Sequence, residues 1–286
     1  MNSRWMRIAC IGLAVVALMC FGIGSATAAN CPVKAPAGLL ESGTLIVGTA
    51  LDSAPMSFMG PGNRPTGIDV ELARAIADTM CLQPKFLNIT FTGLLPALGA
   101  KKVDILIARL GITEERKKAF DFVPYFLAGV QLITKKDSNL YFNQESDVCG
   151  YSTSLQDGSV EMVALERVKD KCPPNRPMTL KMYPNNNEAL EQLRKGTTQV
   201  AFVDYPIASY VTSQTQMFQV ASPILSGDGP GTPRHRDGVV VRKGDKEMYS
   251  AVEQSIKILQ ANGTYQKILA QFSLLGGYFD LSKEKY

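Results

Sequence analysis

The stretch that decides the fold runs from Val103 to Tyr125, VDILIARLGITEERKKAFDFVPY. Ile105-Leu106-Ile107 is an apolar run that reads as a buried parallel strand and ends at Ala108-Arg109. A turn follows, then Ile112-Thr113-Glu114-Glu115-Arg116. Thr113 can cap the helix that opens after it, and Glu114 and Glu115 suit that helix's positive end. Arg116 then lies one turn into the helix, close to the carboxyl end of the strand, where open α/β sheets bind ligands. A guanidinium there can grip a carboxylate through two parallel hydrogen bonds. The plainer reading is a surface arginine beside Lys117 and Lys118.

Outward from this stretch the chain alternates. Thr44 to Ala50 reads as a strand, and Asp69 to Met80 as a helix with Leu72, Ile76 and Met80 on one face. Lys85 to Thr90 is a second strand, Gly93 to Ala100 a short helix that tolerates Pro96 in its first turn, and Val103 to Ala108 the third strand. Strand and helix in turn argue a mainly parallel sheet with helices on both faces. The pattern then restarts. Strands are expected at Val130 to Thr134, Tyr151 to Ser154, Thr179 to Tyr183, Val200 to Val203, Phe218 to Ala221 and Val239 to Arg242. Helices are expected at Val160 to Lys169, Asn187 to Arg194, Pro206 to Thr212, Glu247 to Asn262 and Tyr265 to Phe272. The fold class is α/β, in two units of similar build. The break in composition at Ser222 to Gly238, SPILSGDGPGTPRHRDG, reads as a connection or flap.

The first 28 residues set the compartment. Arg4 and Arg7 precede a nearly all-apolar run, Ile8 to Ile23, and Ala26-Thr27-Ala28 is a small-x-small cleavage site. This is the pattern of a secretory signal peptide rather than a membrane anchor, so Ala29 starts the mature chain. Neither Cys20 nor Cys31 has a leucine three residues upstream, which argues against a lipoprotein. The formal charge of +4 includes the two signal arginines. The remaining basic residues are scattered, so nucleic-acid binding is not indicated. The mature chain of about 258 residues is long enough for two lobes. It should be a soluble monomer exported to the periplasm. It retains Cys31, Cys81, Cys149 and Cys172, and an even count in an exported chain favours disulfides, with three connectivities open. With no CxxC and a single histidine, His235, neither a metal site nor another cofactor is expected.

Several motifs, taken in order, resemble the family 3 extracellular solute-binding proteins, the polar amino acid receptors of ABC importers. Gly67-Ile68-Asp69-Val70-Glu71-Leu72-Ala73 resembles the family's helix start, and Phe91-Thr92-Gly93-Leu94-Leu95-Pro96-Ala97-Leu98 the segment before its central strand. Val103-Asp104 to Arg116 with Asp121-Phe122 and Pro124-Tyr125 resembles the signature. Val203-Asp204-Tyr205-Pro206 resembles the second-lobe aspartate motif, Gly238 to Gly244 the return strand, and Ala261 to Ile268 the terminal helix. The resemblance implies two lobes joined by two hinge segments, a type II binding-protein fold with ligand between the lobes. Lobe 1 would be discontinuous, 29–128 plus 223–286, and lobe 2 would be 129–222. Hinge closure would bury the ligand, and a membrane ABC permease would read the closed shape. With lobes so drawn, Cys149–Cys172 and Cys31–Cys81 each stay within one lobe. Closing the first loop would stabilise by roughly 3 kcal/mol in the chain-entropy model.

The resemblance also implies residue roles. Arg116 would hold the ligand α-carboxylate and Asp204 its α-ammonium, although Asp204 could instead cap the helix before Pro206. Phe91 would wall the site or serve only the core. Gln156, Ser159 and Val160 would contribute a side chain, a hydroxyl and a backbone N–H, or form an ordinary strand-to-helix turn. Ala108 and Gly111 lie on the same turn as Arg109. The chain departs from the pattern in several places. Gly111 replaces a Ser or Thr that would serve the carboxylate, and Arg109 replaces a small residue. Ala50 replaces an acid, Ser53 an aromatic lid and Met56 a phenylalanine. Asp52 either makes up for the lost acid or caps its turn. A second cation beside Arg116 is repelled unless an anion sits between them. Arg109 therefore implies either an anionic ligand or an internal pair with Asp52 or Asp204. The leading function is capture of an amino acid or a related small zwitterionic or anionic solute for an ABC permease. An enzyme on the same scaffold, like the cyclohexadienyl dehydratases, is the alternative, as is a ligand sensor without transport. No nucleophile elbow, phosphate loop or zinc motif supports catalysis.

Overall fold

The computed structural model describes residues 31–227 and 234–283. The expected signal peptide and the middle of the Ser222 to Gly238 segment lie outside the described residues. The chain begins with β1 (Thr44–Thr49), then β2 (Asp52–Ser53), β3 (Ser57–Gly60), β4 (Arg64–Thr66), α1 (Ile68–Thr79) and β5 (Gln83–Asn88). Next come α2 (Leu94–Gly99), β6 (Ile105–Leu106), α3 (Glu114–Ala119), β7 (Phe120–Leu127), β8 (Val130–Lys135), β9 (Ser152–Gln156) and α4 (Val160–Lys169). After these are β10 (Thr179–Tyr183), α5 (Asn186–Lys195), β11 (Val200–Asp204), α6 (Tyr205–Gln214) and β12 (Phe218–Val220). The last elements are β13 (Arg236–Arg242), α7 (Lys246–Ala261) and α8 (Thr264–Gln271).

Two five-stranded sheets result, ordered β5-β1-β6-β13-β7 and β10-β9-β11-β8-β12. In both, the first three strands are parallel, as the strand-helix alternation requires. The last two strands of each add antiparallel pairs, so the sheets are mixed. Continuous apolar runs alternate sides because successive residues of a strand point to opposite faces. Leu45 and Val47 enter one buried cluster and Ile46 another. Val200 and Phe202 likewise part from Ala201 and Val203. Each sheet is thus packed on both faces. On α1, Leu72 and Ile76 are fully buried, each worth about 1.5–3 kcal/mol.

Three features were not legible in advance. Between β1 and α1 the chain folds into a small antiparallel ribbon, order β2-β3-β4. The strand expected over Val103 to Ala108 keeps ladder pairing only at Ile105 and Leu106. There the buried Asp104 side chain, not the ladder, takes the N–H groups of Leu40 and Ile46, at 3.0 and 2.9 Å. β7 was masked by Pro124, which cannot donate to a ladder; β7 is the sheet edge, and Pro124 lies opposite Gly238 beside a bulge at Tyr125 of β7. The structure joins Cys31 to Cys81 and Cys149 to Cys172.

The chain leaves the first sheet after Leu127, enters the second at Val130, and returns before Arg236. The two crossings bind each other: Val130 N–H donates to Leu225 O at 2.9 Å, Leu225 N–H to Val130 O at 2.8 Å, and Ala128 N–H to His235 O at 2.9 Å. Arg234 donates to the carbonyls of Leu127 and Ala128 and lies 4.6 Å over the Tyr205 ring. Among the described residues, no helix is long and apolar enough to cross a membrane.

Helix α1 depends on a glycine. Ile68 and Asp69 N–H groups donate to the carbonyls of Pro55 and Met56 at 3.1 and 2.8 Å. This close approach needs Gly67 at φ 114°, and a Cβ there would strike the Met56 carbonyl. Gly67→Ala should lower unfolding free energy by at least about 2 kcal/mol, read from denaturant unfolding. An unchanged midpoint would show that the turn can relax.

Candidate functional site

The site begins where β6 ends. Ile107 N–H still donates to Gly48 O of β1 at 3.2 Å, and residues 110–112 then lie beside β13: Gly238 N–H donates to Leu110 O at 3.1 Å and Ile112 N–H to Arg236 O at 2.8 Å. Thr113 then caps α3, its hydroxyl accepting from Arg116 N–H at 3.2 Å. Arg116 therefore sits on the first turn, as its sequence position requires. Its Nη1 donates to Gly111 O at 2.6 Å and its Nη2 to Gly158 O at 2.9 Å, in the turn between β9 and α4. One guanidinium thus spans from the first sheet to the second. Gly111 permits this, since a Cβ on it would lie 2.6 Å from Val160 Cγ1. Burial lowers the pKa of Arg116, against the pull of Asp237, Glu161 and Asp204. The group stays charged, as arginine does in proteins.

Arg109 is 3% exposed and lies in the same gap. Its Nη1 donates to Asp204 Oδ2 at 2.7 Å, and its Nη2 to Ser53 Oγ at 3.0 Å and Gln156 Oε1 at 3.5 Å. Its Cζ stands 5.4 Å from the centre of the Phe91 ring. Of the two readings open for Arg109, the structure shows the internal pair with Asp204. Burial opposes its charge, but Asp204, Asp52 and Asp69 together hold its pKa above the ordinary arginine value. Asp204 is the N-cap residue of α6, yet its side chain makes no cap bond there. Its carboxylate is turned to Arg109 instead.

The other expected residues divide. Phe91 is both core and wall, buried in an apolar cluster beneath Arg109. Gln156 Oε1 also accepts from Asn186 Nδ2 at 3.1 Å. Asp52 Oδ1 accepts from Ser53 Oγ at 2.9 Å, and the Asp52 carbonyl accepts from Asn187 of α5 at 2.6 Å. Ser159 Oγ accepts from Met162 N–H at 3.2 Å and so caps α4. Val160 faces Gly111, and Ala108 is fully buried. Among the described residues, no group of three or more His, Cys, Asp or Glu could hold a metal ion.

Sequence reading missed three buried acids beside these arginines. Asp69, Asp237 and Glu161 are at most 2% exposed. Burial, offset in part by the Tyr125 hydroxyl at 2.6 Å, raises Asp69 to about 6. Burial and then Asp204 raise Glu161 from 4.5 to about 8. Burial, Asp204 and Asp69 push Asp237 well above the usual carboxylate range. Asp237 Oδ1 is 3.8 Å from His235 Nε2, and His235 Nδ1 is 2.9 Å from Ser226 O. The only signal in sequence was an acid in each of three otherwise apolar or capping contexts, which is common on surfaces. An acid whose folded pKa is raised binds its proton more tightly in the native state. Its contribution is therefore present below the unfolded pKa and is lost as pH rises through the folded one. For Glu161 that window runs from 4.5 to about 8. The melting temperature should fall across this window, and Glu161→Gln should flatten the fall. Thermal melts of the ligand-free protein at half-unit pH steps would check it; an equally steep profile in the variant would be the failing result.

The chain is 28% identical over 230 residues to the L-cystine-binding protein TcyJ of Escherichia coli K12, covering 80% of this chain and 82% of that protein. It is 26% identical over 227 residues to ABC transporter arginine-binding protein 1 of the same strain, covering 79% and 88%. The solved structure of an ancestral arginine-binding protein bound to arginine superposes with a TM-score of 0.72 at 29% identity, covering 80% of this chain and 98% of that one. The profile of the bacterial extracellular solute-binding proteins, family 3, matches residues 45–274. The protein belongs to that family, whose members are solute-binding receptors rather than enzymes.

Proposed function

We propose that this protein is a periplasmic receptor, exported by a cleaved signal peptide. It captures an amino acid or a related small zwitterionic or anionic solute between its lobes. It then delivers that solute, as a monomer, to the membrane permease of an ABC importer. In this reading lobe 1 is 29–128 with 223–286, and lobe 2 is 129–222. The names of the relatives, cystine- and arginine-binding, support a solute of amino-acid size.

The observation that carries the proposal is the placement of Arg116. Its guanidinium bonds a carbonyl of each lobe, Gly111 O and Gly158 O, at 2.6 and 2.9 Å. These bonds fix the fork between the lobes with donors remaining for a carboxylate. A carboxylate bound there contacts both lobes through one side chain, which is what couples capture to closure. The Arg234 carbonyl bonds across the paired crossings give that closure an ordered hinge.

A thermal-shift screen of refolded mature protein tests the reading. The panel holds the standard amino acids, their amines, opines and dicarboxylates. A solute that binds only the native state adds about 2.7 kcal/mol of stability at 100 times its Kd. Arg116→Ala should remain folded and bind that solute at least about 30-fold more weakly, as loss of one partner of a buried charge pair costs roughly 2–5 kcal/mol. Retained affinity would remove Arg116 from the site.

A further inference from the structure

Arg109 combines three features that carboxylate capture by Arg116 does not require. The first is its partner. It holds Asp204 Oδ2 at 2.7 Å, and Asp204 is the residue that the family resemblance gives to a ligand ammonium. The second is its backbone. Arg109 has φ 54°, in the left-handed region, where a side chain costs roughly 1–2 kcal/mol that glycine avoids. Strain of this kind persists where surrounding contacts over-determine it, and it gathers at functional sites. The third is an unmet donor. Arg109 is 3% exposed and its Nε is buried with no hydrogen-bond partner in the structure.

We propose that Arg109 stands in for the ammonium group of the ligand, so that the cleft selects a small carboxylic acid without an α-amine. The inference rests on the receptor reading and narrows its ligand class. The guanidinium is a cation held at Asp204 by its own chain. An incoming α-ammonium meets that cation and finds the Asp204 carboxylate already paired. Like-charge juxtaposition of this sort costs several kcal/mol, roughly 100-fold or more in affinity. An amine-free acid avoids that repulsion, places its carboxylate at Arg116, and leaves Arg109 Nε–H as a donor for a second polar group. The neighbouring acids do not oppose it by charge alone. Burial holds Glu161 and Asp237 towards their protonated forms, in which each can donate an O–H.

The test uses matched pairs that differ by one amine: succinate and aspartate, glutarate and glutamate, 4-methylpentanoate and leucine, 5-guanidinopentanoate and arginine. Wild type is titrated calorimetrically with each, beside Arg109→Gly. Glycine suits the φ of this position and frees Asp204. The expected result is that wild type binds an amine-free member at least about 100-fold more tightly than its twin, and that Arg109→Gly gains the amino acid. Wild type binding an amino acid within tenfold of its amine-free twin overturns this inference alone. So does discrimination that survives in folded Arg109→Gly. A silent wild type with amino-acid binding in the variant supports the stand-in role. Silence in both folded proteins overturns this inference and the receptor reading together. If Arg109→Gly does not fold, the wild-type pairs decide, and a silent wild type counts against the inference.

Discussion

The arrangement of the two lobes depends on one buried ion pair, Arg109 with Asp204. The arginine comes from the segment that follows β6 and the aspartate from the end of β11, so the bond joins the two sheets. Both side chains are at most 5% exposed. Removing one partner of such a pair leaves the other charge desolvated, at a cost of roughly 3–5 kcal/mol. The bond therefore works less as added stability than as a geometric demand. Wherever Asp204 goes, a cation must follow. Ser53 and Gln156 fix the same guanidinium from opposite lobes, and Asn187 reaches the Asp52 carbonyl beside it. The pair is thus the centre of a small set of cross-lobe bonds, with Arg116 to Gly158 as its second anchor.

The crossings set what the lobes can do about that demand. Because Val130 and Leu225 exchange both backbone hydrogen bonds, the two connections behave as a two-stranded ribbon rather than as loose linkers. Gly129 shows how tight the ribbon is. It has φ 144°, and a Cβ there would lie 2.5 Å from Ile224 Cγ2 and 3.0 Å from Leu225 O. Across the gap between the sheets run the bonds of Arg109 to Asp204 and Gln156 and of Arg116 to Gly158.

Much of this was legible in the sequence because it depends on local rules. The buried strands announce themselves as apolar runs, Thr113 and Ser159 as caps, and the helix face of Leu72 and Ile76 by its period. The resemblance of the motifs implied that Arg116 and Asp204 face one gap, and in the structure each makes a bond between the two sheets. What was not legible depends on distant partners. The Asp104 carboxylate takes the N–H groups of Leu40 and Ile46, residues some 60 positions away in the chain. Pro124 hides a strand whose partner lies beyond 110 further residues. Asp69, Glu161 and Asp237 look like surface acids until folding buries them together. For Arg109, sequence could state the alternatives, an external anion or an internal aspartate. Only the position of β11 beside it shows the internal aspartate paired.

The two departures at the heart of the signature are linked in space. Gly111 lacks the hydroxyl that the family resemblance expects, and Val160 moves into the room left by the missing side chain. Two residues earlier, Arg109 puts a large cation where a small residue is expected. Side-chain volume and hydrogen-bonding capacity are removed at one position and supplied at the other. The supplied group, unlike a hydroxyl, carries charge, and its neighbours are acids. Two guanidiniums stand among Asp69, Asp204, Asp237 and Glu161. A desolvated cluster tolerates little net charge. Burial accordingly raises Glu161 and Asp237, while Arg109 keeps Asp204 as its partner. Arg116 is thus a cation beside acids that burial biases towards their neutral forms, and it favours an anion.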